Sequence, residues 1–287
     1  MKKLFDFSED AINTLARADA ARALAEDVGD GDLTAGLIDA ARGAWAQVLV
    51  RESAVICGSA WVNATVLQLD PQAHITWHVR DGERCSANQV VLELKGRAQA
   101  LLTAERTALN FLQLLSAVAT KTATHVDAVK GTSAKIVDTR KTLPGLRLAQ
   151  KYAVRMGGGT NHRIGLYDAV LIKENHIAAA GGIAQVLARA AAVAAQADFV
   201  QIEVETLSQL AQVLDAGARM VLLDNMDLPQ LREAVRINQG RASLEISGGV
   251  TLEGLRTLAE TGVDRISIGG LTKDVKAVDF SMRFQDL

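Results

Sequence analysis

DAVLIKENHIAAAGGIAQVLARAAAVAAQADFVQIEVET, residues 168–206, decides the fold. Two short runs rich in Val, Ile and Leu, DAVLIKEN and FVQIEVET, flank a helix-like segment, GGIAQVLARAAAVAAQ. The unit recurs outward: AKIVDTR (134–140) upstream, then MVLLDNM (220–226), SLEISGGV (243–250) and RISIGG (265–270) downstream, with helix-like LPQLREAVRIN (228–238) among them. Apolar strands alternating with helices predict a parallel sheet covered by helices. Their short, regular spacing predicts a barrel.

Each run begins apolar and ends polar. The ends are Thr139-Arg140-Lys141, Lys173-Glu174-Asn175-His176, Glu203 with Glu205, Asp224-Asn225, Ser247-Gly248-Gly249 and Gly269-Gly270. In parallel α/β barrels the C-terminal strand ends line one face, and that face carries the chemistry. Six strands deliver charge or glycine to the same rim, which predicts a site there. The charge is also concentrated. Asp138 to His176 holds seven Lys or Arg against three acids, in a chain whose net charge is −2. Gathered cations need a polyanionic ligand to offset their repulsion, so a small, multiply charged anion is expected.

The totals narrow the class. A chain of 287 residues with 49% hydrophobic and 22% charged residues has the composition of a globular protein with one large core or two unequal ones. Near-neutral charge argues against nucleic acid as a partner. No apolar run approaches the roughly 20 residues that span a bilayer, so no membrane partner is expected. The opening MKKLFDFSED turns acidic before an apolar run develops, so no signal peptide is expected. Cys57 and Cys85 lack metal or redox spacing and suit a reducing cytoplasm. Upstream of the barrel the texture differs. Ser8 to Ala25 has a helical period with Ser8 as a cap, GDGDLTAG (29–36) reads as a loop, and Ala44 to Leu94 holds short β-like runs. Gly96 to about Thr124 reads as helix. All three tryptophans (Trp45, Trp61, Trp77) fall in this first part, which predicts a core of its own.

With these blocks in view the chain resembles quinolinate phosphoribosyltransferase. The resemblance rests on DTRKTLPGLRLAQKYAVRMGGGTNHRIGLYDAVLIKENH (138–176), IEVET, LLDNM, EISGGV and SIGG, and extends upstream through RESAVICG (51–58) and LLTAERTALNFLQ (101–113). It implies an N-terminal α/β sandwich domain (1–115) and an open, incomplete TIM-like α/β barrel (116–271), with 272–287 packing back on the first domain. It implies a homodimer whose sites are shared between subunits. The implied reaction joins quinolinate to phosphoribosyl pyrophosphate with Mg²⁺, giving nicotinate mononucleotide, pyrophosphate and carbon dioxide, in NAD biosynthesis.

By resemblance the quinolinate ligands are Arg106, Thr139, Arg140, Lys141, His162, Arg163 and Lys173, with Arg106 reaching the neighbouring subunit's pocket. Glu203 and Asp224 take the ribose hydroxyls and Mg²⁺, and Ser247, Gly248, Gly249, Ile268, Gly269 and Gly270 take phosphoribosyl pyrophosphate. Lys141, Lys173, Glu203 and Asp224 are the implied catalytic set. The chemistry of the residues agrees: Arg grips a carboxylate with a fork, Lys acts as a point charge, and hard carboxylate oxygens suit Mg²⁺. Glycine lets a phosphate approach the backbone, and the last two strand ends of such barrels are a frequent phosphate site. Arg147, Lys151 and Arg155 sit at helical spacing and are read as surface ion-pair residues. Glu105 and Asn110 are read as structural. Glu205 shares strand parity with Glu203, and a salt bridge to Lys173 or Lys141 explains it as well as a ligand role does. His74 and His78, four apart in a strand-like run, are not read as a metal pair, and for His176 and Asn175 orienting Lys173 and a structural hydrogen bond are equally good readings. The rival readings are a related phosphoribosyltransferase of the molybdenum-transport-associated group, a barrel aldolase with Lys173 as Schiff base, and a sugar-phosphate sensor. The intact TRKTLPG and KENH blocks with Arg106 disfavour the first. Nearby Glu174 and Glu203, which favour a charged lysine, disfavour the second.

Overall fold

A computed structural model describes residues 6–285. The residues 1–5, part of the opening read for a signal peptide, lie outside them. The elements run α1 (Glu9–Val28), β1 (Gly43–Val50), β2 (Ala54–Val55), α2 (Ser59–Leu69), β3 (His74–Trp77), β4 (Arg84–Cys85), β5 (Val90–Arg97) and α3 (Ala98–Ala128). Then follow β6 (Lys135–Val137), α4 (Arg147–Met156), β7 (Val170–Ile172), α5 (Glu174–Ala180), α6 (Ile183–Ala194) and β8 (Val200–Val204). The chain finishes through α7 (Leu207–Asp215), β9 (Met220–Asp224), α8 (Leu228–Asn238), β10 (Ser243–Ser247), α9 (Leu252–Ala259), β11 (Arg265–Ser267), α10 (Gly270–Lys273) and β12 (Phe280–Gln285).

Two compact units result. One takes residues 6–123, Leu143–Gly158 and 271–285; the other takes Thr124–Thr142 and Gly159–Gly270. These limits differ from a single cut at 115/116, and the reason is packing. Helix α4 buries Ala149, Ala153 and Val154 in a cluster with Trp61, Phe111, Leu115 and Val118, so it joins the first unit although its sequence follows β6.

In the first unit an antiparallel sheet has the order β12-β1-β5-β3. β12 pairs with β1 from Trp45↔Gln285 to Val50↔Phe280. Alternation along β1 points Ala46, Val48 and Val50 into a cluster with Val62 and Val66 of α2 and Leu101, Ala104, Ala108 and Leu112 of α3. Ser8 caps α1, accepting from the Ala11 N–H at 3.3 Å. Trp61 is wholly buried and donates its indole N–H to Asp19 at 2.9 Å; burial raises the Asp19 carboxyl above its usual range, against the lowering by that bond and by Arg22. Asp81 caps the start of α2 through the Gly58 and Ser59 N–H groups, both at 3.2 Å, and accepts from Tyr152 Oη at 3.0 Å. Lys151, read as a surface residue, is fully buried on α4; this corrects that expectation, because the α4 face carrying Gln150 and Lys151 turns inward. Arg155 remains exposed and lies over the Phe7 ring at 4.9 Å.

The second unit is a parallel sheet of six strands in the order β6-β11-β10-β9-β8-β7. Thr160 adds a parallel bridge to Val137 beyond β6. Among the described residues no pairing joins that edge to β7, so the barrel is open. Val204, Val221, Leu223, Leu244, Ile246 and Ile266 are buried, together with Leu210, Leu231 and Leu255 of α7, α8 and α9. The helices begin where capping residues stand: Thr206 accepts from Gln209 N–H at 3.1 Å, and Asp227 from Gln230 N–H at 2.9 Å. No helix among the described residues is long and apolar enough by itself to cross a membrane.

Candidate active site

Register decides which side chains meet. Ile172 pairs with Ile202, so the next positions, Lys173 and Glu203, come level. Asp224 pairs with Ser247, and Ser247 with Ser267. Period-two alternation then gives Gln201 and Glu203, Glu245 and Ser247, and Arg265 and Ser267 each a shared face. Two contacts identify that face. Lys173 Nζ lies 3.4 Å from Glu203 Oε2, and Glu245 Oε2 accepts from Arg265 Nε at 2.7 Å. The predicted residues Thr139, Arg140, Lys141, Arg163, Lys173, Glu203, Asp224, Ser247, Gly248, Gly249, Ile268, Gly269 and Gly270 all belong to this one unit.

Two guanidiniums, Arg140 and Arg163, lie near enough at the rim to feel each other's charge. Burial, then the neighbouring Arg140, lowers the Arg163 pKa from its usual value, with Asp168 opposing. Like charges held this close call for an anion between them. The loop that carries Arg163 is built to stay put: Asp168 accepts from the Ile164 N–H at 2.6 Å and the Gly165 N–H at 2.9 Å. Lys141 is exposed at the rim, and its N–H donates to Thr139 Oγ1 at 3.0 Å. A Cβ at Gly269 would stand 2.9 Å from Lys141 Cδ. A side chain there would push the lysine stem off this path.

Beside them the backbone turns sharply after two strands. Gly248 and Gly249 take φ of 94° and 59°, and Asn225 takes 53°. These left-handed turns follow β10 and β9, and the glycines adopt them without the cost a side chain brings. Asp224 accepts from the Asn225 amide at 3.1 Å and keeps its other oxygen toward Gly248, where an added Cβ would lie 3.9 Å away.

Three predicted residues are placed differently from one another. His162 is buried, and both ring nitrogens work inside the protein: Nδ1 accepts from the Arg163 N–H at 2.8 Å, and Nε2 lies 2.9 Å from Gln201 Oε1. Glu205 is exposed, with its N–H held by Gln209 Oε1 at 2.8 Å; the lysine pairs with Glu203 instead. Arg106 stands exposed on α3, in the other unit. Glu105 beside it has its carboxyl raised by burial, with Arg106 opposing. His176 does hold the lysine segment, its Nδ1 accepting from the Lys173 N–H at 3.0 Å.

Sequence reasoning missed the residues beneath the rim. Asp138 is buried and accepts from the His162 N–H at 2.8 Å and the Asn161 amide at 2.6 Å. Gln201 and Glu245 are also fully buried. The available signal was parity: each is polar, inside or directly after an apolar strand, and two residues before a rim residue.

An open α/β barrel whose strand ends hold neighbouring arginines, a lysine–glutamate pair and glycine turns defines an enzyme class acting on small polyanions. The chain belongs to the quinolinate phosphoribosyltransferase family. Residues 32–116 match the N-terminal domain and residues 118–283 the C-terminal domain described for that family. It is 43% identical over 288 residues to the carboxylating nicotinate-nucleotide pyrophosphorylase of Mycobacterium leprae, covering 97% of each chain. It is 40% identical over 257 residues to the probable enzyme of that name from Bacillus subtilis, covering 90% of this chain and 89% of that one. Among solved structures, the nicotinate-nucleotide pyrophosphorylase of Francisella tularensis superposes with a TM-score of 0.92 at 44% identity, over 95% of this chain and 97% of that one.

Proposed function

We propose that this chain transfers the phosphoribosyl group of phosphoribosyl pyrophosphate to the ring nitrogen of quinolinate, with loss of carbon dioxide. The products are nicotinate mononucleotide and pyrophosphate, and the step belongs to NAD biosynthesis. The gathering of Arg140, Arg163 and Lys173 in one unit carries the reading, because an aromatic dicarboxylate presents the flat, doubly charged edge that guanidinium forks match. Lys173, level with Glu203, adds a point charge beside that edge.

The other half of the bowl suits the sugar donor. Glu203 and Asp224 are half-buried acids on adjacent strands, placed to accept from ribose hydroxyls. The turns at Gly248–Gly249 and Gly269–Gly270 admit the phosphate. No group of three or more His, Cys, Asp or Glu able to hold a metal unaided occurs among the described residues. A pair of carboxylates therefore fits Mg²⁺ that arrives with substrate phosphates as its remaining ligands. When bound, Mg²⁺ neutralises charge on the pyrophosphate.

The chain's own residues then orient and stabilise. Arg140, Arg163 and Lys173 fix the dicarboxylate so that its nitrogen meets the anomeric carbon. The C–N bond forms as the C–O bond to pyrophosphate breaks. As carbon dioxide leaves, the electron pair of the broken C–C bond stays on the ring carbon, where the adjacent nitrogen, now positive, stabilises it until a proton binds there. Preorganised charge does this work without a covalent enzyme intermediate. Arg106 acts in the site of a second copy of the chain, as a homodimer with shared sites requires. The free, buried Cys57 and Cys85 suit the cytoplasm. The test is purified protein with quinolinate, phosphoribosyl pyrophosphate and Mg²⁺, following carbon dioxide. Release that stops when any component is omitted supports the reading, and release that continues without phosphoribosyl pyrophosphate refutes it.

A further inference from the structure

The floor beneath the bowl holds a carboxylate that the reaction does not touch. Glu245 lies two residues before Ser247 on β10, and none of it reaches solvent. Its Oε2 accepts from Arg265 Nε at 2.7 Å. Ser267 donates its hydroxyl to Oε1, and the same oxygen lies 3.4 Å from His162 Nε2. His162 thus reaches β8, through Gln201, and β10, with its ring edge-on to Phe199 at 5.1 Å.

The hydrogen bonds fix where the ring proton sits. Arg163 donates its N–H to Nδ1 at 2.8 Å, so Nδ1 is the acceptor and a neutral ring carries its hydrogen on Nε2. That hydrogen points at two acceptors, Gln201 Oε1 at 2.9 Å and Glu245 Oε1 at 3.4 Å. The other tautomer would set an Nδ1–H against the Arg163 N–H and turn an acceptor lone pair toward both oxygens. The Arg163 peptide would have to move. Arg265 and Ser267 hold Glu245 from the far side, so its Oε1 stays aimed at the imidazole.

We propose that Glu245 is a positioning residue, which locks His162 in its Nε2–H tautomer and so fixes the Arg163 backbone for capture of the dicarboxylate. The claim rests on the functional reading above for its kinetic consequence and on the ring geometry alone for its tautomer consequence. A carboxylate kept merely for stability has no reason to select a tautomer. That difference makes the claim testable.

The experiment compares wild type, Glu245→Gln and Ser267→Ala, with ¹⁵N-labelled histidine and ring signals assigned through His162→Asn. Wild type shows one ring form at His162, protonated at Nε2. Folded Glu245→Gln shows a mixture of tautomers and a quinolinate KM raised roughly tenfold or more, the usual scale for removing an outer-shell partner, with kcat changed less. An unchanged ring form in folded Glu245→Gln overturns the proposal, whether KM moves or not. If Glu245→Gln does not fold, Ser267→Ala decides on the same two readouts, with a several-fold KM rise expected and an unchanged tautomer overturning the claim. The ring signals need no turnover. A wild-type chain inactive on quinolinate refutes the functional reading, and the tautomer comparison still judges the positioning claim.

Discussion

Removing the Arg163 guanidinium separates a ligand-binding residue from a stabilising one. In the free protein that group is half-buried and lies beside Arg140, and both circumstances disfavour its charge. Arg163→Gln relieves the repulsion while keeping the backbone N–H that His162 accepts. The gain is small, because solvent screens a half-exposed pair, and a few tenths of a kcal/mol is the expected scale. Binding behaves oppositely. A charge-assisted bond to a carboxylate contributes about 1.5–3 kcal/mol, and leaving that carboxylate without its partner forfeits it. At 1.4 kcal/mol per factor of ten, this corresponds to roughly 10- to 150-fold in quinolinate affinity. Steady-state kinetics with each substrate varied in turn, beside thermal denaturation of the free protein, gives both numbers. The expected result is a quinolinate KM raised by that factor and a melting temperature no lower than wild type. A quinolinate KM within about twofold of wild type refutes the assignment. A melting temperature lowered by many degrees shows instead that Arg163 holds the fold.

Three further outcomes follow from particular contacts. Gly269→Ala places a Cβ 2.9 Å from Lys141 Cδ, so the lysine must shift; activity should fall about tenfold or more with little change in melting temperature, and a fully active variant contradicts the close approach. Asp70 is buried, and the Arg97 N–H bond, ahead of the Gln72 N–H and the Arg97 charge, lowers its pKa from 3.8; a depressed acid contributes stability above the unfolded value and loses it as pH falls through the folded one. Denaturant titrations should therefore show wild type more stable than Asp70→Asn at pH 6, with the gap closing below 3.8; a gap independent of pH rules the linkage out. Arg106→Ala and Lys141→Ala, each inactive alone, should regain about a quarter of wild-type activity when co-assembled one to one, since half the dimers are mixed and each then has one intact site. A mixture that stays inactive excludes the shared site.

The rim was legible because strand ends are a local feature. Lys173, Glu203, Asp224 and Ser247 each follow an apolar run, and a parallel barrel puts such ends on one side whatever the details of packing. The caps were equally local: Ser8 before α1 needs only its own next three residues. Lys151 was misread for the corresponding reason. Its helical spacing beside Arg147 and Arg155 looks like a solvated face, and only the burial of α4 in a cluster with Trp61 and Phe111 turns it inward. The role of His162 was hidden by distance along the chain. Its partners Gln201 and Glu245 lie 39 and 83 positions on, and nothing in the run TNHR announces them.

Sequence by itself determined the alternation of strands and helices, the concentration of cations between Asp138 and His176, and the polar ending of every barrel strand. These depend on periodicity and composition, which short-range physics reads directly. Only the tertiary structure decided that α4 joins the first unit, and that a buried acid at Glu245 faces the ring of His162. Register and burial are properties of pairs far apart in the chain, and a side chain's environment exists only once those pairs have formed.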